Sequence, residues 1–243
     1  MRFLIKFSYD GSNYAGYQTQ PGLDTIQERL EAALEKINNG KKTNIVATGR
    51  TDKKVHALCQ YGHADIEVNI TEEKLKRAMN SNLPDDIHVI KTKIVPDDFH
   101  ARYDVKSKEY KYYINIGEYN PLERNYIFQY NYQLNIDAMK EAIKVFLGTH
   151  DFRAFVTDNK EKENCIRTIY DADITKKDDI MCISFKGDGF LRYQIRNMVG
   201  ILIRVGENKI STEDVEKILK SKDRTTSGKT APAQGLYLTN VSY

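Results

Sequence analysis

One short stretch of this chain carries an unusual density of groups that can take part in catalysis. It reads ATGRTDKKVHA and places the carboxylate of Asp52 two residues after the guanidinium of Arg50, near the hydroxyls of Thr48 and Thr51. Hydrogen-bond donors and a nearby cation lower the pKa of a carboxyl group and keep it ionised. An ionised carboxylate serves as a nucleophile or a general base, so Asp52 is a candidate catalytic residue. The alternatives are a solvated turn for Asp52 and a plain ion pair for Arg50.

A tyrosine-rich strand and an arginine-bearing helix supply further candidates. In the run KEYKYYI, strand periodicity puts Tyr110 and Tyr112 on one face, either as packed core residues or as a surface for a planar substrate. In GFLRYQIRNMVG, apolar residues recur at helical spacing, and Arg196 lies at or next to their face. A guanidinium in apolar surroundings needs a carboxylate or phosphate partner, so a structural ion pair and a catalytic carboxylate fit Arg196 equally well. Arg192, one turn earlier, is placed to meet a phosphate instead.

Composition limits the classes of protein to which the chain can belong. A hydrophobic content of 40% and a charged content of 29% are ordinary for a globular protein of one large or two modest domains. A net charge of +3 is compatible with nucleic acid without requiring it. Three dispersed cysteines argue against a disulfide framework, and five histidines show no metal-ligand spacing. No apolar run approaches the roughly 20 residues of a membrane span, and the first residues are too interrupted for a signal peptide, so we expect a cytoplasmic protein without bound metal.

The elements that must position these groups form two successive α+β cycles. The first is predicted to contain strands at 2–9, 44–48, 60–68 and 87–95 and helices at 26–39 and 71–80. Its strand–helix–strand–strand–helix–strand order is ferredoxin-like, with helices covering one face of an antiparallel sheet. Thr25 opens the first helix as part of a predicted capping box. Asp52 then lies on the connection between the second and third strands.

The second cycle repeats the mixture of strands and helices without a sequence repeat. Its predicted strands are 108–116, a short one within 126–132, 166–175, 180–186 and 235–241, and its helices are 135–147, 191–205 and one capped by Ser211. We expect a boundary near Val105. The first half, 1–105, then carries Asp52, and the second half, 106–243, carries Tyr110 and Arg196.

These motifs together resemble the tRNA pseudouridine synthase A family. The run GRTDxxVHA is similar to the family signature, and six other runs fit in order and spacing, namely YDGxxYxGYQ, NLP, DDFHAR, YxY, FLxxxxRNMVG and TAPAxGLYL. The resemblance implies the pseudouridine synthase fold, in which two ferredoxin-like halves form a continuous, mostly antiparallel sheet with helices on one side and a central active-site cleft. It also implies isomerisation of uridine to pseudouridine at positions 38–40 of the tRNA anticodon stem-loop, without a cofactor and by a homodimer.

The same resemblance assigns roles to the candidate residues. It makes Asp52 the catalytic carboxylate, Tyr110 the contact to the target base, and Arg196 the partner of the aspartate. Arg50 would help to hold the flipped nucleotide, and Arg192 would meet RNA phosphate. A substrate base must leave its stack to reach an enzymatic carboxylate, so base flipping is expected.

Two departures from the family pattern bear on the substrate. Lys53 and Lys54 stand where the family has small residues ending in glycine, and Tyr17 replaces the usual tryptophan. Lys54 either alters the loop or adds a phosphate contact. Three other functions remain open: a homologue that acts on ribosomal RNA or a narrower set of tRNA sites, a catalytically silent RNA-binding protein, and a glycoside or nucleoside hydrolase. The hydrolase would need paired carboxylates, and only Asp52 stands in the strong motif.

Overall fold

The chain folds into two compact units, seen in a computed structural model that describes residues 1–156 and 164–243. The first unit comprises Met1–Lys106 together with Tyr237–Tyr243, and the second comprises Ser107–Leu236. The C-terminal segment Tyr237–Tyr243 thus belongs to the unit that carries Asp52, whereas the predicted boundary near Val105 placed it in the second half. In the described part of the chain, no helix is long and apolar enough to cross a membrane.

The elements of the chain alternate between strands and helices. The strands are β1 (Arg2–Tyr9), β2 (Val46–Ala47), β3 (His56–Asp65), β4 (Ile87–Val95), β5 (Ser107–Asn115), β6 (Phe128–Gln129), β7 (Gly148–Asp151), β8 (Ile166–Lys177), β9 (Ile180–Gly187) and β10 (Leu236–Ser242). The helices are α1 (Ile26–Ile37), α2 (Glu72–Asn80), α3 (Ile136–Ile143), α4 (Gln194–Gly206) and α5 (Thr212–Ser221). Short 3₁₀ turns cover Lys144–Phe146, Arg153–Phe155, Arg224–Ser227 and Ala233–Gly235.

In the first unit the strand order is β4-β1-β3-β10. β1 pairs antiparallel with both β3 and β4, and the short β2 pairs antiparallel with β3. β10 joins β3 in parallel, with Tyr237 opposite His56 and Leu238 opposite Ala57. The alternation in β1 buries Phe3 and its neighbours at every second position, which gives the sheet one core-facing side.

The second unit is also built on a mostly antiparallel sheet. Its strands run in the order β5-β9-β8-β7 with antiparallel pairing, and β6 adds to β5 in parallel. Tyr112 and Ile183 lie opposite each other on β5 and β9 and are fully buried. α4 contributes a long apolar stripe to the core, including Met198 and Leu202. The expected α+β class with mostly antiparallel pairing is confirmed.

The structure corrects three predicted boundaries near the site. The strand predicted at 60–68 begins at His56, because its first residues pair with β10. The strand predicted at 44–48 keeps only Val46–Ala47, and the helix predicted at 191–205 begins at Gln194. Tyr193 precedes that helix with φ +63°, a left-handed conformation that cannot continue a right-handed helix.

Candidate active site

Asp52 is half-buried on the connection between β2 and β3, as expected. The Val55 N–H donates to the Asp52 carbonyl at 3.1 Å and closes a tight turn. The third residue of that turn, Lys54, has φ +67°. A turn with positive φ at this place favours glycine, and another L-residue there costs roughly 1–2 kcal/mol. The loop therefore keeps a glycine-type turn although it carries a lysine.

Hydrogen bonds fix the segment that leads into Asp52. The Thr51 hydroxyl shares a buried hydrogen bond of 2.8 Å with the Tyr9 hydroxyl, and the Thr51 carbonyl accepts from the Tyr17 N–H at 3.1 Å. Thr48 donates its N–H to the Tyr61 carbonyl at 2.9 Å. Both residues that hold Thr51 come from the N-terminal part of the chain. The YDGxxYxGYQ motif therefore positions the aspartate loop.

Two glycines in that motif allow this close approach. A Cβ added to Gly11 would lie 2.0 Å from the Val55 carbonyl oxygen, a distance that no side chain tolerates. Gly16 has φ +118°, and a Cβ there would lie 3.0 Å from the Thr51 carbonyl oxygen. The backbone of the first loop thus packs directly on both ends of the Asp52 turn.

His56 closes the far side of the turn and is buried. Its Nδ1 accepts a hydrogen bond from the Gly11 N–H at 3.1 Å and lies 3.1 Å from a carboxylate oxygen of Asp10. Its ring stacks on Tyr237 with centroids 4.6 Å apart. The segment Asp10–Gly11 after β1 and the last strand, β10, therefore both contact the imidazole of His56, which directly follows the loop that carries Asp52. Neither Asp10 nor Tyr237 was predicted as a site residue, because only the pairing of β10 with β3 brings Tyr237 to this place.

Tyr110 lies on β5 opposite Phe185 and is buried. Its ring contacts Phe190 edge to face, with centroids 5.4 Å apart and an interplanar angle of 82°. Tyr112 is fully buried, and its hydroxyl donates to the Pro232 carbonyl at 2.6 Å. Of the two tyrosines, Tyr112 is therefore a packed core residue, because its hydroxyl is hydrogen-bonded to the backbone.

Arg196 is half-buried on the first turn of α4. Its Nε donates to the Ala231 carbonyl at 2.8 Å, and its own carbonyl accepts from the Ala231 N–H at 3.0 Å. The guanidinium of Arg196 lies 5.1 Å from the centre of the Tyr193 ring, and that of exposed Arg192 lies 5.0 Å from it. Such cation–π contacts hold both arginine heads at one aromatic ring. An aromatic residue between two arginines at the start of the predicted helix was the available signal for Tyr193.

A second network holds the segment that contains Ala231 against α4. Arg224 donates to Asn197 Oδ1 and to the Thr230 hydroxyl, each at 3.0 Å. A Cβ added to Gly200 would lie 2.1 Å from the carbonyl oxygen of the residue before Thr230. Burial lowers the pKa of Arg224 from its usual value, because loss of solvent disfavours the charged guanidinium. These contacts hold the segment whose Ala231 carbonyl accepts the hydrogen bond from Arg196.

The candidate residues therefore divide between the units. Asp52 and exposed Arg50 belong to the first unit, and Tyr110, Arg192 and Arg196 belong to the second. Within residues 1–156 and 164–243, no cluster of His, Cys, Asp and Glu side chains is arranged to hold a metal ion.

Comparison with known proteins decides the family. A family model described as tRNA pseudouridine synthase matches residues 5–104 and 142–243. The chain belongs to this family. The matched ranges include Arg50, Asp52, Arg192 and Arg196, and Tyr110 lies between them.

Curated relatives of this synthase family match over nearly the whole chain. The protein from Anoxybacillus flavithermus named tRNA pseudouridine synthase A is 41% identical, covering 100% of this chain and 98% of that protein. The protein of the same name from Thermoanaerobacter pseudethanolicus is 46% identical over 99% of this chain and 98% of its own length. The one from Limosilactobacillus reuteri (strain DSM 20016) is 42% identical over 100% of this chain and 96% of its own length. Membership of an isomerase family agrees with the resemblance seen in the motifs.

Proposed function

We propose that this synthase isomerises uridine to pseudouridine in tRNA and that Asp52 is its catalytic carboxylate. The observation that carries the proposal is a half-buried aspartate in a turn fixed on both sides, by Thr51 before it and by Val55 and His56 after it. Catalysis requires the reacting group to be held within a fraction of an ångström, and the hydrogen bonds on both sides of this turn support such positioning.

The reaction itself explains why one carboxylate suffices. The bond between N1 of uracil and C1′ of the ribose breaks, the base rotates, and C5 bonds to C1′ while the C5 proton is lost and N1 gains one. Oxidation state is unchanged, so no cofactor is needed. Asp52 would act by attacking the ribose, by abstracting a proton along a glycal route, or by adding to C6 of the base.

The remaining candidates receive roles that follow from their chemistry. Tyr110, whose ring is held by its edge-to-face contact with Phe190, would cover the flipped base. Arg196 would orient Asp52 and favour its ionised form, because a fixed guanidinium stabilises a carboxylate. Arg50 would hold the flipped nucleotide, and Arg192 would bind phosphate.

The substrate site follows from the resemblance. We propose positions 38–40 of the anticodon stem-loop as targets and a homodimer as the active form. The relatives are named for tRNA, which favours tRNA over ribosomal RNA. RNA binding would rest on shape and on phosphate contacts.

The chemical step is tested by tritium release from 5-tritiated uridine in unmodified tRNA. Asp52→Asn should abolish release and keep RNA affinity within about threefold, since it removes the charge without changing the shape. Asp137→Asn, an exposed aspartate in the first turn of α3, is the matched control and should release tritium like the wild type. Activity in Asp52→Asn would overturn the assignment, and an inactive wild type would favour the silent RNA-binding protein. Free uracil or abasic RNA would favour the hydrolase.

The target site is tested by mapping pseudouridines with carbodiimide in RNA from cells that lack the protein. Anticodon-stem pseudouridines should vanish and return with the wild-type gene, and they should stay absent with Asp52→Ala. Loss confined to ribosomal RNA would refute the tRNA assignment and leave the chemistry intact.

A further inference from the structure

Lys54 holds a backbone conformation that lysine rarely adopts. Among the described residues other than glycine with positive φ, most are asparagine or aspartate, which tolerate this region because their short side chains bond locally. Lys54, like Tyr193 and Lys222, lacks such a short side chain. A strained residue beside a catalytic group points to a function that the side chain performs there.

The two central side chains of the turn are exposed and cationic. Lys53 and Lys54 both face solvent, and Arg50 is exposed three residues earlier. None of the three forms an ion pair with any residue that the structure describes. Some exposed lysines elsewhere do, such as Lys41 with Glu67 and Lys144 with Glu141. The turn therefore presents exposed cations next to Asp52.

We propose that Lys53 and Lys54 bind backbone phosphates of the RNA strand beside the uridine that enters the site. This rests on the proposed function, which places that uridine at Asp52. A nucleotide held there carries a phosphate on each side, close to the turn that holds both lysines. Ammonium groups neutralise phosphates as point charges without reading sequence, so the contacts strengthen binding to any target strand. The left-handed conformation of Lys54 keeps the turn closed and leaves its side chain exposed.

The test measures RNA affinity as a function of salt. Each phosphate contact contributes about 0.7 to the slope of log affinity against log salt for single strands and about 0.9 for duplex. Lys53→Ala and Lys54→Gly should each lower the slope by about that amount in fluorescence anisotropy with unmodified tRNA. Lys42→Ala is the control, because Lys42 is also exposed and lies next to the Lys41–Glu67 pair beyond the other end of β3.

A charge-preserving variant separates phosphate binding from loop shape. Lys54→Arg should keep the wild-type slope, because it keeps the charge. Lys54→Gly should lower the slope by the contribution of one phosphate contact, even though glycine suits the turn. Slopes for Lys53→Ala and Lys54→Gly equal to that of Lys42→Ala would overturn the inference. So would a Lys54→Arg variant that behaves like Lys54→Gly. These binding results do not depend on turnover, whereas failure of the proposed function would appear as tritium release by Asp52→Asn.

Discussion

Removal of one hydroxyl group should have opposite effects on stability at two buried tyrosines. Tyr112 is fully buried, and its hydroxyl donates to the Pro232 carbonyl. Tyr17 is 2% exposed, and its hydroxyl has no hydrogen-bond partner among the described residues. Burial raises the pKa of both phenols, so neither is ionised near neutral pH. The change from tyrosine to phenylalanine therefore removes the same neutral group in both places.

The magnitudes follow from what each hydroxyl does. Tyr112→Phe deletes a short hydrogen bond and leaves the partly buried Pro232 carbonyl with one acceptor site empty, which costs about 0.5–1.5 kcal/mol. Tyr17→Phe removes a hydroxyl that was desolvated without compensation, which should stabilise the fold by about 1 kcal/mol. For a chain of this size, 1 kcal/mol corresponds to roughly 2–4 °C in the unfolding midpoint. The two variants should thus lie on opposite sides of the wild type.

Urea unfolding followed by circular dichroism and by tyrosine fluorescence measures both effects. Coincident transitions from the two probes would justify a single free energy for a chain with two compact units. If Tyr17→Phe proved as destabilising as Tyr112→Phe, the reasoning would be refuted. That result would mean that the Tyr17 hydroxyl has a partner, such as an ordered buried water.

Two further substitutions probe the aspartate loop and the pH dependence of the first unit. Gly11→Ala pushes a Cβ against the Val55 carbonyl oxygen, so turnover should fall about 100-fold and the free energy of unfolding by about 2–3 kcal/mol. Gly189→Ala is the control and should leave stability unchanged, because the added Cβ would lie 3.7 Å from its nearest neighbour, Nε of Arg167. Burial lowers the pKa of His63 below its usual 6.5, and its Nδ1 accepts from the Ala101 N–H. Unfolded His63 therefore binds a proton at higher pH than folded His63, and stability should fall as the pH drops through 6.5. His63→Gln should flatten that decline in urea titrations from pH 5 to 8, and an unchanged decline would exclude this role.

Local pattern predicted the elements whose determinants are local. The strands Arg2–Tyr9 and Ile87–Val95 have the predicted ends, because alternation and flanking turn residues lie within the segments themselves. The helix after Ser211 also begins as predicted, with both halves of the capping box formed. At Thr25 the side chain caps the helix by accepting from the Glu28 N–H.

Elements that depend on distant partners were predicted less well. β3 begins at His56, ahead of its predicted start, because its first residues pair with Tyr237 and Leu238 near the end of the chain. The strand Gly148–Asp151 was not predicted, since only its pairing with β8 makes this polar segment a strand. Strand formation depends on neighbours more than on intrinsic preference, so such elements carry little local signal.

The same distinction applies to the candidate site. Asp52 was predicted as a candidate from its own neighbours. The groups that fix its loop, Tyr9 and Tyr17, act through contacts with Thr51 that spacing does not reveal. The sequence left two interpretations of Lys54 open, an altered loop or an added contact. Its φ of +67° shows that the turn keeps a glycine-type shape. Relative to glycine, the lysine therefore adds an exposed charge without requiring a different turn, and any difference in RNA preference should first be sought in phosphate contacts.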